Sequence, residues 1–415
     1  MSDLCLAPQI DETNTRAHIS ERRQSILALL PIMAVVSIAF LIIGFALPVL
    51  PLHVHHGLGL STFVVGLVTG SQFAASVLSR VWAGRFADSR GPKRAVVAGL
   101  IAAVAGGVLY GVSLAVTSLP VISVSILLAG RALLGAAESF IITGAAAWGL
   151  ALAGPQNAGR VIAWVGMAMF AALALGAPAG TALYLHGGFA AVAIATAAIP
   201  LLTILLVAPL VSTAVQRGAS AGFMKVARAV WLPGLGSALS SVGFGAMIAF
   251  SSLLATERGW TPVWVGFSAF AAALVAARLF FGHVPDRLGG ARVALVCIVI
   301  EAAGLALMWF AGSHALAAVG AALAGFGYSL VYPGLGVEAV RAAPPQSRGL
   351  AMGAYTVFLD IALGLGSPML GLVAGFAGLG AVFLASSIVV LCAATVAVRL
   401  LMSASGRDSA TRQAR

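Results

Sequence analysis

Charged residues are scarce in this chain of 415 residues: Asp, Glu, Lys and Arg together make up only 8% of it. Soluble domains carry about 25% charged residues, and only about half of their residues are apolar. Here the hydrophobic fraction reaches 61%, and the mean hydropathy is +1.06. This leaves too little polar surface for a soluble globule, and it excludes a cytosolic enzyme, a secreted domain and a nucleic-acid-binding protein. The composition predicts a membrane protein.

Cysteine and metal-binding patterns are also missing. The three cysteines, Cys5, Cys297 and Cys392, are odd in number and widely separated, so they indicate neither a disulfide framework nor a metal motif. No nucleotide-binding loop of the P-loop type occurs, which excludes pumping driven by ATP. No cluster of Ser, His and Asp suits catalysis. We therefore expect no catalytic residues, no metal and no cofactor.

Long apolar runs dominate the sequence. A hydrocarbon layer of about 30 Å requires about 20 helical residues to cross it. Runs of this kind lie at 26–50, 61–83, 95–117, 119–148, 159–184, 188–211, 229–253, 262–283, 291–312, 314–338, 347–373 and 378–401. Transmembrane strands would need only about 10 residues of alternating polarity. We predict an all-α polytopic membrane protein with twelve transmembrane helices, the first of which is too long for a cleaved signal.

Lysine and arginine are distributed unevenly between the two sides that these helices define. With the N-terminus in the cytoplasm, the inner tails and loops carry 19 of the 23 Lys and Arg residues, and the outer loops carry only Arg258. Because cytoplasmic loops are enriched in these residues, both termini are predicted to be cytoplasmic. The bias also explains the net charge of +11, since inner loops face anionic lipid. We expect a bacterial inner-membrane location.

The sequence repeats itself. Five residues around the end of the second run, Arg80, Gly84, Asp88, Gly91 and Arg94, recur 198 positions later as Arg278, Gly282, Asp286, Gly289 and Arg292. A second echo, at 190 positions, relates Gly176 and Pro178 to Gly366 and Pro368. Duplicated halves of this kind place a substrate near the bilayer midplane in several transporters. We predict two pseudo-symmetric six-helix bundles at 26–211 and 229–402, a cytoplasmic linker at 212–228, and tails at 1–25 and 403–415.

The repeated segments resemble motifs of the major facilitator superfamily of membrane transporters. Gly84-x-x-x-Asp88-x-x-Gly91-x-Lys93-Arg94 is similar to the loop motif of that family, although Ser89 and Pro92 stand where basic residues are usual. Arg131-Ala-Leu-Leu-Gly135 resembles its second motif, and Gly176-x-Pro178-x-Gly180 resembles the motif linked to proton-coupled antiporters. Within the family, the loop and Leu47-Pro48-Val-Leu-Pro51 look most like the bacterial YhhS/YfcJ-type group. The resemblance covers all twelve runs.

The resemblance implies a conformational latch between the two halves. The loop carboxylate, Asp88, is expected to contact the start of the eleventh helix near Ser347, where a helix N-terminus stabilises an anion by about 0.3–1 kcal/mol. Gly84 should let two helices approach, and Gly91 should permit a tight reversal. A turn that only anchors the helix ends is the alternative. The predicted latch residues are Gly84, Asp88, Arg90, Gly91, Lys93, Arg94, Gly282, Asp286, Gly289 and Arg292.

Glycine and proline interrupt the fifth and eleventh runs, where a straight lipid-facing helix would carry Leu. A kink or gate is predicted at Gly176, Pro178, Gly180, Gly366 and Pro368, and we expect both halves to use the same joint. The resemblance implies that the fifth-run element seals the cavity against leak in antiporters. A generic packing kink is the alternative.

Charges inside the runs are the most informative residues, because each costs about 2.5–3.5 kcal/mol at a helix centre. Arg131 and Glu138 lie seven residues apart in the fourth run, so they share one helix face. Asp360 lies in the eleventh run and Glu301 in the ninth. We predict that Glu138 and Asp360 carry protons and that Arg131 holds an anionic substrate group or modulates a carboxylate. A satisfied structural hydrogen bond is the alternative for Asp360. Glu301 is expected to be structural.

Further residues lie in runs that are candidates to line a cavity. They are Gln72, Phe73, Trp164, Met167, Phe170, Phe244, Tyr328, Tyr332, Tyr355 and Phe358. An apolar, aromatic cavity suits amphipathic or weakly polar solutes. Packing against lipid or within the core is the alternative for each of these aromatic residues.

These features favour a secondary active transporter that exports small organic solutes in exchange for protons, by alternating access. Proton-coupled uptake on the same fold is the alternative, and a non-transporting membrane enzyme or receptor is a remote one. The proton gradient is the expected driving force. The expected partners are a small-molecule substrate and the lipid bilayer, with the protein acting as a monomer.

Overall fold

The computed structural model describes residues 12–153, 158–210, 212, 223–342 and 348–413, and these residues contain helices and turns but no strand. A π-helix at His53–Gly57 separates the first two of its thirteen α-helices. The α-helices are α1 (Glu12–Leu52), α2 (Thr62–Arg90), α3 (Pro92–Leu114), α4 (Pro120–Ala153), α5 (Ala158–Val207), α6 (Phe223–Ala229), α7 (Trp231–Glu257), α8 (Val265–Phe281), α9 (Val284–Leu288), α10 (Gly290–Phe310), α11 (His314–Ala342), α12 (Arg348–Ala377) and α13 (Leu379–Gln413).

The described helices supply the twelve predicted membrane crossings. Ten segments are long and apolar enough to span a membrane, and α8 is a shorter apolar helix. One of the ten, Trp164–Val207, has 44 residues, about twice the number needed for one crossing. Its backbone leaves the helical region at Gly187 (φ −142°, ψ 19°) and Gly188 (φ 61°, ψ −161°). Because glycine adopts such conformations readily, α5 reverses there and crosses twice.

Several helix ends differ from the predicted runs. Helix α1 begins at Glu12, inside the predicted tail 1–25, and α13 continues to Gln413, beyond the predicted end of the bundle at 402. Part of the predicted linker 212–228 is helical, because α6 starts at Phe223, whereas residues 213–222 lie outside the described residues. Apolar content marks the membrane-embedded part of a helix, and a helix can extend past it into water.

The helices form two bundles that the sequence repeat relates. In the first, α1 packs on α5, α2 on α4 and α3 on α4; in the second, α10 packs on α11 and α13, and α12 and α13 pack on α7. The repeat is visible in backbone contacts: a Cβ added to Gly106 would lie 3.0 Å from the Gly130 carbonyl oxygen. One added to the matched Gly304 would lie 2.6 Å from the Gly320 carbonyl oxygen. Small residues thus allow the same close helix approach in both bundles.

Two matched helix pairs connect the bundles. Helix α2 packs on α12, and α8, the counterpart of α2, packs on α5. We call these contacts the α2–α12 interface and the α5–α8 interface. The central helices α1 and α7 are the most buried, with 78% and 83% of their apolar segments inside the protein. Asp360, on α12, is therefore carried by a helix that contacts the other bundle.

Candidate functional site

An ion pair crosses the α2–α12 interface. Asp360 of α12 pairs with Arg80 of α2, and the two residues are 280 positions apart in the chain. The Asp360 side chain is only 3% exposed and that of Arg80 is 21% exposed. Removal from water is costly for a charge and makes the attraction between opposite charges stronger. Arg80 therefore supplies the opposite charge that stabilises the Asp360 carboxylate inside the membrane.

A second buried carboxyl group lies close to this pair. Gln72 of α2 donates a hydrogen bond of 2.8 Å from Nε2 to Oε2 of Glu138, on α4. Arg80 is within electrostatic range of Glu138, and Glu138 is within range of Asp360. The Gln72 amide oxygen has no hydrogen-bond partner among the described residues. Since an amide offers both donors and an acceptor, a rotated Gln72 can accept a hydrogen bond from protonated Glu138 as readily as it donates to the ionised form.

Arg131 faces α2 as well, but its donors are directed to protein atoms. Its Nε donates to the Val68 carbonyl oxygen at 3.2 Å, and one terminal nitrogen donates to that of Thr69 at 3.4 Å. The other terminal nitrogen is 3.5 Å from the Tyr110 hydroxyl. The shared face of Arg131 and Glu138 therefore packs on α2. In this conformation Arg131 joins α2, α3 and α4, and the contact with substrate stays a prediction.

Glu301 lies inside the second bundle, between α7 and α10. It is fully buried, and the Ser240 hydroxyl donates to its Oε2 at 2.6 Å. The other carboxyl oxygen has no partner among the residues that the structure describes. Because both contacting helices belong to one bundle, this geometry agrees with the predicted structural role.

The α5–α8 interface contains the second arginine of the repeat. Arg278 of α8 donates from Nε to the Ser329 carbonyl oxygen at 3.3 Å. Its guanidinium carbon lies 4.4 Å from the centre of the Phe170 ring, on α5. The offsets of 198 and 190 residues relate Arg278 to Arg80 and Phe170 to Asp360. An aromatic ring thus occupies the position that holds a carboxylate in the other interface.

Several predicted cavity residues form an aromatic cluster beside Arg278. The ring centre of Phe244 is 6.2 Å from that of Phe170, 5.6 Å from that of Phe270 and 5.2 Å from that of Tyr328. The Tyr328 hydroxyl is 3.3 Å from the Ser241 hydroxyl. The cluster joins α5, α7, α8 and α11 and supplies an apolar wall at the boundary between the bundles.

Two turns of the predicted latch have matched geometry. Gly91, between α2 and α3, has φ 95° and ψ 150°, and Gly289, between α9 and α10, has φ 93° and ψ 132°. A positive φ favours glycine, so the predicted tight reversal at Gly91 is confirmed and recurs at Gly289. Lys93 fixes the first turn, because its Nζ donates to the carbonyl oxygens of Ala208 at 2.7 Å and Leu210 at 2.6 Å.

Other latch residues are less engaged. Asp88 is exposed and has no hydrogen bond to a residue that the structure describes, and its expected partner Ser347 lies outside the described residues. The Arg90 guanidinium lies 5.0 Å from the Phe86 ring centre. Arg94 and Arg292 are exposed, Gly282 ends α8, and the side chain of Asp286 lies outside the description. A Cβ at Gly84 would meet nothing within 4 Å. The expectation that Gly84 permits close helix approach is therefore wrong for this conformation.

The glycine and proline motifs of α5 and α12 differ in their contacts. A Cβ on Gly176 would lie 2.8 Å from the Cα of Gly44, on α1, and one on Gly180 would collide with the Phe45 backbone. A Cβ on Gly366 would meet only Val242, at 3.8 Å. Pro368 instead contacts α2, where a Cβ on Gly66 would lie 2.7 Å from its Cα. The expectation that both halves use the same joint is wrong, because Val242 stands where the first bundle has Gly44.

The partners of the predicted charges are not evident from the sequence. Arg80 and Arg278 were noted only as members of the repeat, and Gln72 only as a residue that could line a cavity. A charge in an apolar run does signal a buried site. The opposite charge that neutralises a buried charge is determined by how helices of the two bundles pack. The spacing of residues within one helix does not predict that packing.

Comparisons with known proteins agree with this fold. The model of the Major Facilitator Superfamily matches residues 32–289 and 234–415. An uncharacterized MFS-type transporter of Salmonella typhimurium, STM4428, is 40% identical over 376 residues, which cover 91% of this chain and 97% of that protein. The uncharacterized MFS-type transporter YhhS of Escherichia coli K12 is 41% identical over 365 residues, covering 88% of this chain and 89% of the relative.

Solved structures share the fold at low sequence identity. A mutant form of the nucleoside transporter NupG superposes with a TM-score of 0.73 at 15% identity, covering 90% of this chain and 99% of that one. A bacterial homolog of the human lysosomal transporter Spinster, in an inward-facing and occupied conformation, gives a TM-score of 0.72 at 16% identity, with coverage of 91% and 97%.

Proposed function

Because the chain belongs to the major facilitator superfamily, we propose that this multi-pass membrane protein exports small organic solutes in exchange for protons, by alternating access of its two bundles. The observation that carries the proposal is the buried ion pair between Arg80 and Asp360, which links the bundles directly. The protein acts as a monomer in a bacterial inner membrane with both termini in the cytoplasm. It performs no covalent chemistry and needs no cofactor. The proton gradient drives transport.

The ion pair gives protonation a direct effect on the contact between the bundles. When Asp360 is ionised, its attraction to Arg80 holds α2 against α12. A proton on Asp360 removes that charge, weakens the contact and shifts the equilibrium towards the state in which the helices separate. Both carboxylates lie near one arginine, so Glu138 competes with Asp360 for the positive charge. Gln72 supports Glu138 in either protonation state, which lets the proton be shared between the two acids.

The export direction is supported by the contact between α1 and α5. Gly44 and Gly176 bring the two backbones together, and neither position has space for a side chain. Such a closed contact within one bundle opposes leakage of protons along α5 while the bundles move. Proton-coupled uptake on the same fold is the alternative, in which solute and proton cross the membrane in the same direction.

The direction can be tested in inside-out membrane vesicles that hold an acidic lumen. A panel of organic solutes is added outside, and a fluorescent amine reports the lumenal pH. Export predicts that a transported solute enters the lumen and dissipates the gradient. If solutes dissipate the gradient only in right-side-out vesicles with an acidic exterior, the protein is an uptake symporter and the proposed direction is wrong.

Carboxyl variants test the coupling in the same assay. We expect Asp360→Asn and Glu138→Gln each to abolish solute-induced proton movement, because each removes a proton carrier from the cluster. Glu301→Gln is the matched control: it also alters a fully buried carboxyl group, but one that contacts only helices of the second bundle. If both cluster variants retain gradient-driven transport at the rate of Glu301→Gln, the assignment of proton carriers is wrong.

A further inference from the structure

We propose that Arg278 binds the anionic group of the transported solute between α5 and α8, with the apolar part of that solute against Phe170, Phe244 and Tyr328. The inference rests on the proposed transport function and names its substrate class, organic monoanions with an aromatic or apolar body. Carboxylates and sulfonates of this kind each present two neighbouring oxygens that accept paired hydrogen bonds from a guanidinium.

The guanidinium of Arg278 has donors to spare. Arginine carries five N–H donors, and within the described part of the chain only Nε has an acceptor, the Ser329 carbonyl oxygen. Arg278 is partly exposed, so its terminal nitrogens are not completely enclosed by the protein. The hydrogen bond from Nε to the Ser329 carbonyl oxygen fixes the plane of the group.

Among the residues that the structure describes, no carboxylate neutralises Arg278. The titratable groups within its electrostatic range are Tyr328 and Tyr332, both neutral in ordinary conditions. The matched Arg80, by contrast, is paired with Asp360. A charge kept within a membrane without a counter-ion is costly, and a bound solute anion would supply the missing charge.

The neighbours of the guanidinium determine which of its edges a ligand can contact. Phe170 covers one face of the guanidinium at 4.4 Å, an arrangement that leaves the edge with the terminal nitrogens free for a carboxylate. On α5, the residue next to this edge is Gly166, where an added Cβ would make van der Waals contact with one terminal nitrogen at 3.5 Å and with no other atom within 4 Å. The rings of Phe244 and Tyr328 continue the apolar cluster beyond Phe170 and are buried in this conformation.

The anion site and the proton site share one central region. Tyr332 lies within electrostatic range of Arg278 and also of Arg80 and Asp360. Its hydroxyl is 2.7 Å from that of Thr356, on α12. An anion bound at Arg278 is therefore placed where its charge acts on the ion pair that protonation would release.

Ligand binding without a proton gradient tests the site. Purified protein in lipid nanodiscs is titrated calorimetrically with 1-naphthoate and with its neutral analogue 1-naphthamide. We expect naphthoate to bind at least about tenfold more tightly, since hydrogen bonds to charged groups are stronger than neutral ones. Equal affinities for the two ligands would overturn the proposal, and this comparison needs no variant.

Variants locate the interaction. Arg278→Gln should reduce naphthoate affinity about tenfold, to the level of naphthamide, and leave naphthamide binding unchanged. Phe170→Asp should cause a similar loss by supplying an internal acid, in a geometry that the α2–α12 interface already accommodates. Arg258→Gln is the control, because Arg258 also bonds a carbonyl oxygen, of Ala311, and lies over a ring, that of Trp260, but on a loop. Unaltered naphthoate affinity in Arg278→Gln would refute the site.

The two proposals can fail separately. If naphthoate prefers Arg278 as expected but no solute moves protons in vesicles, the anion site stands and proton-coupled export falls. If solutes move protons but naphthoate binds no better than naphthamide, the transport function stands and the anion site is wrong.

Discussion

The α2–α12 and α5–α8 interfaces occupy matched places in the two bundles and carry different chemistry. Each has an arginine at the same position, Arg80 or Arg278, which crosses to the other bundle. In the first interface the arginine meets a carboxylate, and in the second it meets the ring of Phe170. The difference shows that a duplicated membrane fold can keep one charged residue twice and assign it two partners. We connect the first with protons and the second with the solute anion.

The same contrast appears inside the bundles. The hydrogen-bonded pair Gln72 and Glu138 corresponds, by the repeat offsets, to Phe270 and Tyr328, whose ring centres are 6.1 Å apart. The backbone contact beside each pair is unchanged: a Cβ on Gly135 would collide with the Gln72 carbonyl oxygen, and one on Gly325 with that of Phe270. Close helix packing therefore constrains the glycines in both bundles, whereas the facing side chains are free to differ.

Breaking the ion pair should produce the largest effect on stability. Arg80→Gln leaves Asp360 buried without a partner and should lower the free energy of unfolding by about 3 kcal/mol, the low end for a broken buried pair because Arg80 is partly exposed. Arg278→Gln leaves no buried carboxylate unpaired and should cost less than about 1 kcal/mol, the scale of a cation–π contact. Unfolding in detergent micelles measures both. The double variant Arg80→Gln/Asp360→Asn should recover most of the loss, and equal losses for the two arginines would contradict the comparison.

Gly70→Ser should separate the α2–α12 interface at a cost of about 2–3 kcal/mol, in the upper part of the range for overpacking a tight contact. A Cβ on Gly70 would press on the Gly364 carbonyl oxygen and lie 3.2 Å from Cδ of Pro368. The measurement is the rate at which an impermeant maleimide labels Thr62→Cys in a background without the native cysteines. In the unaltered protein the Thr62 hydroxyl donates to the Gly371 carbonyl oxygen, on α12, at 2.8 Å. Separation of the two helices should expose position 62, so labelling should become faster. Ser268→Gly, at the matched position of α8, should leave the rate unchanged; an unchanged rate in Gly70→Ser would argue against a closed interface.

The two glycine motifs should respond differently to a single methyl group. Gly176→Ala forces α1 and α5 apart and should destabilise the protein by about 1–2 kcal/mol. Gly366→Ala has space before Val242 and should be neutral or slightly stabilising, since alanine favours a helix over glycine. Thermal unfolding of the purified variants measures this difference. Similar destabilisation by both variants would show that the two joints are equivalent after all.

The smallest effect is expected at the polar contact of the α5–α8 interface. The Ser268 hydroxyl donates to the Ala174 carbonyl oxygen at 3.3 Å. Ser268→Ala should lower the free energy of unfolding by about 0.6 kcal/mol, the average for a hydrogen bond between membrane helices. A loss above that of Gly176→Ala in the same unfolding experiment would mean that this interface depends on polar contacts more than its aromatic surroundings indicate.

Much of the architecture could be predicted because the membrane constrains sequence strongly. Each crossing needs an apolar run of sufficient length, which gave twelve helices even though Gly187 and Gly188 join two of them in one continuous α5. The tight turns at Gly91 and Gly289 followed from the repeat, since a positive φ requires a particular residue. The extension of α1 to Glu12 did not follow, because a helix outside the hydrocarbon layer needs no apolar run.

The amino-acid sequence by itself determined that this chain is a duplicated, twelve-helix membrane protein, and it marked Glu138 and Asp360 as costly charges that need a reason. Only the tertiary structure decided what those charges contact: Gln72 for Glu138, Arg80 for Asp360, and α2 carbonyl oxygens for Arg131. It also decided that Arg278, which the repeat relates to Arg80, faces an aromatic ring in place of an acid. The physical reason is that insertion cost depends on each helix alone, whereas neutralisation depends on which helices the two bundles bring into contact.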